Sequence, residues 1–230
     1  MARLAQRAIA EEQMDAPGLP PDIYAAVLAD LEKANRWTLS ARPTLGFLER
    51  AAGTLDSFSL LDVGYGEGGM LRAIARWAEK RGIAARLIGI DLNPESRAAA
   101  ETQTPEDMGI DYRTGDYADC EPVDFVVSNL VAHHMTHGQL VIFLRHMEAN
   151  ARRGWLINDL HRHRLSHFSY PLLARLMGWH RIVREDGQLS IARSYRPREW
   201  PPILQEAGIA PGTAEVVRRF PFRLCIERRR

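Results

Sequence analysis

Apolar side chains recur along the chain with two alternating spacings. Runs that suit buried strands each end in polar or glycine residues and occupy 59–63, 86–91, 110–113, 123–128 and 154–160. Helical spacing separates these runs. It is clearest from Gly69 to Arg81, where Leu71, Ile74 and Ala78 fall on one face and Gly82 ends the pattern. Strands that alternate with helices predict an α/β protein with a mostly parallel sheet.

Further helical stretches precede the first of these strands. One opens at Pro20–Pro21, a second runs from about Pro43 to Ala52, and the polar residues 1–18 predict a loosely held arm. We therefore expect an N-terminal arm with cap helices over 1–53, followed by one domain over 54–230.

A lid and a closing strand pair are predicted after the fifth strand. A mixed basic and apolar helix at 165–178 begins an insertion over about 161–194, within which Asp186-Gly187 indicates a turn. Strand patterns at 213–218 and 222–228, joined near Phe220-Pro221, predict an antiparallel pair.

The pattern is centred on the glycine turn after the first strand. Leu-Leu-Asp-Val-Gly-Tyr-Gly-Glu-Gly-Gly at 60–69 passes from an apolar strand through three alternating glycines into a helix. Such a turn brings a nucleotide-like ligand against bare backbone. The letters also satisfy the dinucleotide signature G-x-G-x-x-G, so a NAD(P)-dependent oxidoreductase is one reading. Glu67 would repel a pyrophosphate, however, and Asp62 suits a cation such as S-adenosylmethionine, which has a sulfonium and an ammonium but no phosphate.

Asp-Val-Gly-Tyr-Gly-Glu-Gly resembles the first motif of the class I S-adenosylmethionine-dependent methyltransferases. The resemblance covers about 55–160, with later motifs in register, and extends to the terminal strand pair. It implies a Rossmann-like, doubly wound sheet of seven strands with an antiparallel C-terminal strand. The His-His after strand four, Asn-Asp-Leu-His after strand five and Asp-Gly-Gln-Leu-Ser-Ile-Ala-Arg-Ser look similar to small bacterial methyltransferases of phenolic, quinone or polyketide-like metabolites.

The predicted cofactor site lies at the ends of the first four strands. Asp91 stands 23 residues beyond Gly68, close to the offset of about 20 at which an acidic side chain binds a ribose. The resemblance implies that Asp116 accepts from the adenine amine, with Tyr117 beside the ring. The predicted cofactor-binding residues are Asp62, Gly64, Tyr65, Gly66, Gly68, Asp91, Leu92, Asp116, Tyr117, Asn129 and Leu130.

Three histidines are candidates for the chemistry. Methyl transfer to a phenolic or alcoholic oxygen requires removal of a proton, and histidine is best matched to that task near neutral pH. His134 is the first candidate and His161 the second, while His133 and His134 should point in different directions. Each could instead only bind the backbone or cap a helix, and positioning alone suffices for an acidic phenol.

The expected acceptor is a small aromatic or lipid-like hydroxyl compound. We expect the N-terminal helices and the 161–180 segment to enclose it, with Phe168, Tyr170, Leu172 and Leu173 among the apolar residues of that segment. A nucleic-acid methyltransferase is the main alternative, but strand four ends in Ser-Asn-Leu-Val rather than the Asn/Asp-Pro-Pro-aromatic of base-amino methyltransferases. A non-catalytic binding protein with the same fold is a further alternative.

Composition adds few constraints. Residues 1–150 carry a formal charge of −8 and residues 151–230 one of +9. The basic half is compatible with an anionic partner, although a solvated surface is the simpler explanation. Cys120 and Cys225 have no metal-site or redox spacing, so we expect free thiols and no metal. No stretch approaches the ~20 apolar residues of a membrane span, and no signal-peptide core is visible. A cytoplasmic monomer or homodimer is the expectation.

Overall fold

A computed structural model describes residues 4–15 and 19–230. The strands are β1 Ser57–Val63, β2 Ala84–Asp91, β3 Asp111–Thr114, β4 Val123–Asn129, β5 Ala151–Leu160, β6 Glu215–Arg219 and β7 Arg223–Arg229. The helices are α1 Pro21–Trp37, α2 Ala41–Ala52, α3 Gly69–Arg81, α4 Pro94–Gln103, α5 His137–Asn150, α6 Arg164–Leu176, α7 Arg181–Arg193 and α8 Trp200–Glu206. Short 3₁₀ turns occupy Gln13–Asp15, Glu106–Met108, Tyr117–Asp119 and Pro197–Glu199.

The strands form one sheet in the order β3-β2-β1-β4-β5-β7-β6. Neighbouring strands pair in parallel from β3 to β5, whereas β7 runs antiparallel to both β5 and β6. The predicted Rossmann-like sheet of seven strands with an antiparallel C-terminal strand is therefore confirmed. The chain leaves β1 in one direction and returns through β4 on the other side. A crevice consequently opens at the carboxyl ends of β1 and β4, where such sheets hold ligands.

Local sequence signals set the starts of three helices. α3 begins after Gly68, whose φ of 80° is left-handed, and spans the predicted 69–81. Asn93 caps α4 by accepting from the Glu95 amide, and Pro94 occupies the first helical position. Thr136 and Gln139 form the predicted capping box of α5. These caps place each helix start at the carboxyl edge of the sheet.

A third apolar cluster stands apart from the two that cover the faces of the sheet. It joins α1 to α6 and α7 through Val27 and Ala34 on one side and Ala174, Trp179 and Ile182 on the other. The N-terminal helix and the insertion thus form a single helical cap over the carboxyl edge of the sheet.

The predicted turn at Asp186-Gly187 is wrong, because both residues lie inside α7. The ring of Tyr170 on α6 explains why position 187 is a glycine. A Cβ at Gly187 would stand 2.2 Å from Cε1 of Tyr170, so the close approach of the two helices excludes a side chain there.

The predicted loose arm is also wrong within residues 4–15. Leu4 and Glu12 are buried. Arg7 donates to the carbonyl oxygens of Arg193 and His133, and the Gln13 and Met14 amides donate to the Asp186 carboxylate. This segment, the N-terminal strap, therefore ties α7 to the loop after β4.

Candidate active site

A cleft of about 2090 Å³ lies between the carboxyl edge of the sheet and the helical cap. One end is formed by the glycine turn and the ends of β1, β2 and β4. The other end is formed by α1, α6, α7 and the N-terminal strap. The predicted residues that line it are Asp62, Gly64, Tyr65, Gly66, Asp91, Leu92, Asn129, Leu130, His133 and His134.

The glycine turn presents open backbone to this cleft. Gly66 has a φ of 55°, and a Cβ on it would meet nothing within 4 Å. A glycine is therefore favoured here by the left-handed backbone and by the access that it leaves for a ligand, and not by close packing. The Gly66 amide donates to Asp91 Oδ2 over 2.9 Å, and the Asn93 amide donates to Asp91 Oδ1 over 2.9 Å. Gly68 differs, because its Cβ would stand 2.4 Å from the Tyr112 hydroxyl and it does not line the cleft.

Asp62 is a buried carboxylate without a partner among the described residues. The residue is 1% exposed, it lines the cleft, and neither side-chain oxygen accepts a hydrogen bond. Burial and the nearby carboxylates of Asp91 and Glu67 raise the pKa of Asp62 to about 8. Asn129 Oδ1, also buried on the cleft wall, likewise has no partner. Such groups are costly unless a ligand satisfies them.

Glu67 is charge-paired, in contrast to Asp62. Arg72 Nη2 lies 2.7 Å from Glu67 Oε2 and 3.9 Å from Glu32 Oε1 on α1. Burial raises the pKa of Glu67, although Arg72 opposes that shift. Sequence reasoning missed Arg72, which ties the cap to the glycine turn.

His133 is a buried part of the cleft wall and lies in a network of charges. Its Nδ1 is 2.7 Å from Asp159 Oδ1, and its amide donates to Asp159 Oδ2 over 2.8 Å. Its Nε2 is 3.6 Å from Glu12 Oε1. Burial alone would lower the pKa of His133, but Asp159 and Glu12 outweigh it and raise the value to about 9. His133 is therefore an imidazolium near neutral pH and has no lone pair with which to take a proton.

His134 is the more exposed of the two histidines that line the cleft. Its side chain is 33% exposed, its ring centroid is 4.2 Å from that of His133, and its Nε2 is 3.8 Å from Glu12 Oε1. The two rings lie side by side and approach the same Glu12 oxygen, and they differ in exposure, with 3% for the His133 side chain and 33% for that of His134.

Glu12 of the N-terminal strap is the acidic residue that sequence reasoning missed. It accepts from the Ser190 hydroxyl over 2.8 Å and lies 3.6 Å from Arg193 Nη1. The histidines hold the pKa of this carboxyl below its usual value against the opposing effect of burial. Glu12, His133 and His134 place their ligand atoms within 4.8 Å of one another, as in a metal site. Arg193 already compensates the Glu12 charge, so we interpret the group as a charge-balanced network.

His161 does not reach this cleft. It lies in a separate basic groove, and its amide donates to the Phe222 carbonyl oxygen. Burial and the charges of His163, Arg218, Arg196 and Arg162 lower its pKa to about 4. His161 is not among the residues that line the cleft of His133 and His134, and its role as the second candidate base stays a prediction.

Asp116 and Tyr117 also lie outside the residues that line the cleft. Asp116 is exposed and caps the following turn by accepting from the Ala118 amide over 2.9 Å. Tyr117 packs edge-on against Phe143 and His146. Both residues therefore have local contacts in this structure, and their contact with the adenine stays a prediction.

Comparison with known proteins agrees with this geometry. The sequence model of a family described as a methyltransferase domain matches residues 60–154. Over these residues the chain is similar to methyltransferases, in agreement with the class I motif at the glycine turn. The predicted resemblance is therefore confirmed, and S-adenosylmethionine is the cofactor of this class. No curated protein matches the chain in sequence.

Solved methyltransferases share the fold of this domain at low sequence identity. The plantazolicin methyltransferase BpumL in complex with S-adenosylhomocysteine (SAH) is 15% identical, with a TM-score of 0.68 and coverage of 91% of each chain. Magnesium protoporphyrin IX methyltransferase from Synechocystis PCC 6803, with bound SAH, is 15% identical at a TM-score of 0.56, covering 94% of this chain and 91% of that one. A SAM-dependent methyltransferase from Aquifex aeolicus is 17% identical, with a TM-score of 0.60. The match covers 91% of this chain and 98% of that one.

The residues of the methyltransferase cleft fit a cationic nucleoside. Asp62 offers an unpaired carboxylate to an ammonium, and Asn129 offers an unpaired carbonyl oxygen. Asp91 stands at the end of β2, in the position that serves ribose hydroxyls. The Glu67 charge is compensated by Arg72, so Asp62 is the acceptor that a cation would satisfy.

Proposed function

We propose that this methyltransferase transfers the methyl group of S-adenosylmethionine to a hydroxyl of a small phenolic, polyketide-like or lipid-like acceptor. The observation that carries the proposal is the position of His134 in one continuous cleft. An acidic end with the unpaired Asp62 lies at the glycine turn, and an apolar end lies under the helical cap.

The acidic end supplies the cofactor contacts. Asp62 would hold the ammonium, Asp91 the ribose hydroxyls, and the open backbone at Gly66 would allow close approach. Leu130 closes β4 beside them with a φ of 63°, a costly conformation for a leucine that is typical of functional sites. Asp116 and Tyr117 have no part in this proposal.

The apolar end supplies the acceptor site. Leu28 and Leu31 of α1, Tyr170 and Leu173 of α6 and Ile191 of α7 all line the cleft. Apolar walls with few polar groups suit an aromatic or lipid-like body. Of the apolar residues predicted on the insertion, Tyr170 and Leu173 line the cleft, whereas Phe168 and Leu172 are exposed on the outer face of α6.

The bound cofactor supplies an activated methyl group, so the protein has to orient the acceptor, exclude water and remove a proton. His134 lines the cleft and is the candidate to receive the hydroxyl proton. Glu12 would then stabilise the imidazolium that forms at His134. His133 cannot take this role near neutral pH, because its raised pKa keeps it protonated.

The names of the structural neighbours fit an acceptor of this size range without defining it. BpumL is described with desmethyl-plantazolicin analogues, and the cyanobacterial enzyme is named for magnesium protoporphyrin IX. These acceptors belong to those proteins, and the phenolic or lipid-like hydroxyl proposed here rests on the cleft walls and His134.

A methylation screen with radiolabelled cofactor tests the proposal. Phenols, quinols, hydroxylated lipids and tRNA are offered separately, and we expect label in a hydroxyl compound. Labelling of tRNA alone would overturn the acceptor proposal and favour the nucleic-acid alternative.

The same assay tests the proposed base. His134→Ala should lower turnover by about 10²–10⁴-fold at saturating cofactor, the usual contribution of general-base catalysis. His161→Ala is the matched control, because that histidine lies in the other groove. Near wild-type turnover of His134→Ala at every pH would show that positioning alone suffices.

A further inference from the structure

One face of α6 carries large apolar side chains that nothing in the described chain covers. Of the ten large hydrophobic residues that are exposed among the described ones, four lie on this helix. They are Leu165, Phe168, Leu172 and Leu176, which are 59%, 66%, 69% and 84% exposed. At about 100° per residue, these positions fall within an arc of about 80° on the helix. We call them the α6 stripe.

The opposite face of the same helix is already in use. Ser166, Tyr170 and Leu173 line the cleft, and Ala174 packs in the cap cluster. The α6 stripe therefore faces away from the fold, and a contiguous apolar surface of this kind marks an interaction site.

A basic groove continues the α6 stripe at its N-terminal end. Leu165 and Phe168 belong to both, since they also line this groove of about 910 Å³. The other lining residues are His161, Arg162, His163, Arg164, Arg196, Pro197, Arg198 and Arg218, so no acidic residue contributes to the wall. α6 itself has no acidic residue, and Arg175 adds a further positive charge beside Leu172 and Leu176.

Arg162 is the buried member of the groove. The residue is 2% exposed, and one of its nitrogens pairs with Glu199. Its Nε and Nη1 atoms have no hydrogen-bond partner among the described residues. An anionic group in the groove would balance the charges of its exposed arginines, Arg164, Arg198 and Arg218.

We propose that the α6 stripe and the basic groove dock the protein on an anionic phospholipid surface. The arginines would contact lipid phosphates, and the four apolar side chains would enter the acyl boundary, as in an in-plane amphipathic helix. A lipid surface is favoured over an acidic protein because Leu172 and Leu176 stand on a convex helix, without a pocket that would select a partner side chain. Within the described residues, 4–15 and 19–230, no helix is long and apolar enough to cross a bilayer. The proposed contact is therefore with the membrane surface.

This docking would place the cap at the membrane. α6 would separate the lipid from the cleft by the thickness of one helix, since its two faces serve the two surfaces. The inference does not depend on which acceptor is methylated, and binding to lipid can be measured without turnover.

Vesicle co-sedimentation of the full chain is the test. We expect binding to vesicles of phosphatidylcholine mixed with phosphatidylglycerol, little binding to phosphatidylcholine alone, and weakening of the binding as salt is added. The double variant Phe168→Ser/Leu172→Ser should weaken binding by about tenfold or more, because two side chains no longer enter the acyl boundary. The double variant Arg164→Gln/Arg198→Gln should lose the preference for anionic vesicles.

Ile142→Ser is the matched control, because Ile142 is 59% exposed on α5, away from the groove. It should bind as the wild type does, and circular dichroism shows whether each variant is folded. Equal binding to both kinds of vesicle, or wild-type binding by Phe168→Ser/Leu172→Ser, would overturn the proposal. A dimer in sedimentation velocity that only this double variant dissociates would also overturn it, by assigning the α6 stripe to contact between copies.

Discussion

Asp62 and Asp159 are buried carboxylates of the same sheet in opposite situations. Asp62 on β1 has no hydrogen-bond partner in the described chain, and its pKa is raised to about 8. Asp159 on β5 accepts from His133 Nδ1 and from two amides. Burial would raise the pKa of Asp159, but His133 and these hydrogen bonds hold it below its usual value.

The difference shows that burial alone does not define the function of a charge. Asp159 accepts hydrogen bonds from groups of the protein itself and fixes the position of His133, so its role is to support the site. Asp62 is left unsatisfied, a cost that a folded chain retains where a ligand removes it. In the proposed site, the unpaired buried carboxylate thus belongs to the cofactor end, and the paired one supports the end that holds the candidate base.

The largest expected effect is a loss of unfolding free energy when Asp159 is removed from its pair with His133. Asp159→Ala leaves the His133 imidazolium buried with only Glu12 nearby, and loss of one partner of a buried pair typically costs about 3–5 kcal/mol of unfolding free energy. Urea unfolding near neutral pH measures it. Asp62→Asn is the matched buried control and should not destabilise the protein. Equal losses in both variants would show that the two carboxylates do not differ.

A smaller effect is expected at the N-terminal strap. Glu12→Gln removes the charge beside both histidines and should cost about 1–3 kcal/mol of unfolding free energy, the range for a hydrogen bond to a charged group. Glu11→Gln is the control, because Glu11 is exposed in the same strap. If the two variants have the same urea midpoint, the strap does not contribute Glu12 to the network.

The pH dependence of stability sharpens the comparison further. His133 has a folded-state pKa of about 9 against an ordinary 6.5, so its contribution is fully present below 6.5 and is lost as pH rises through 9. Asp62, at about 8 against 3.8, likewise loses its contribution as pH rises through 8. The unfolding free energy should therefore fall between about pH 3.8 and 8 because of Asp62 and between about pH 6.5 and 9 because of His133, in each case by at most about 1.4 kcal/mol per pH unit.

Asp62→Asn separates the two groups in this experiment. The variant should keep the fall in unfolding free energy between about pH 6.5 and 9 and lack the fall between about pH 3.8 and 8. A wild-type unfolding free energy that stays level over this range would contradict both pKa assignments.

The sequence predicts the elements around the glycine turn well because their signals are local. The β1 strand, the glycine turn and α3 are consecutive in the chain, and Asp91 follows at a regular offset. Each element therefore needs only its own neighbours to be recognised. Capping residues such as Asn93 and the Thr136–Gln139 box are equally local, and the structure forms both.

The catalytic end is less predictable because its contacts are distant in sequence. Glu12 and His133 are 121 residues apart, and no spacing or composition relates them. His161 follows β5 as His133 follows β4, but the chain turns its ring into the second groove. Gly187 looked like a turn residue because the Tyr170 ring that it accommodates is not visible in the local sequence.

The most direct test of this account is calorimetry of SAH binding, from well below to above the Asp62 pKa of about 8. SAH retains the ammonium, so binding should require the Asp62 carboxylate. Affinity should rise with pH up to about 8, and protons should be released on binding near neutral pH. Asp62→Asn should bind about 1–3 kcal/mol more weakly and lose this pH dependence. Unchanged affinity and pH dependence in Asp62→Asn, or binding of NADH instead of SAH, would contradict the account.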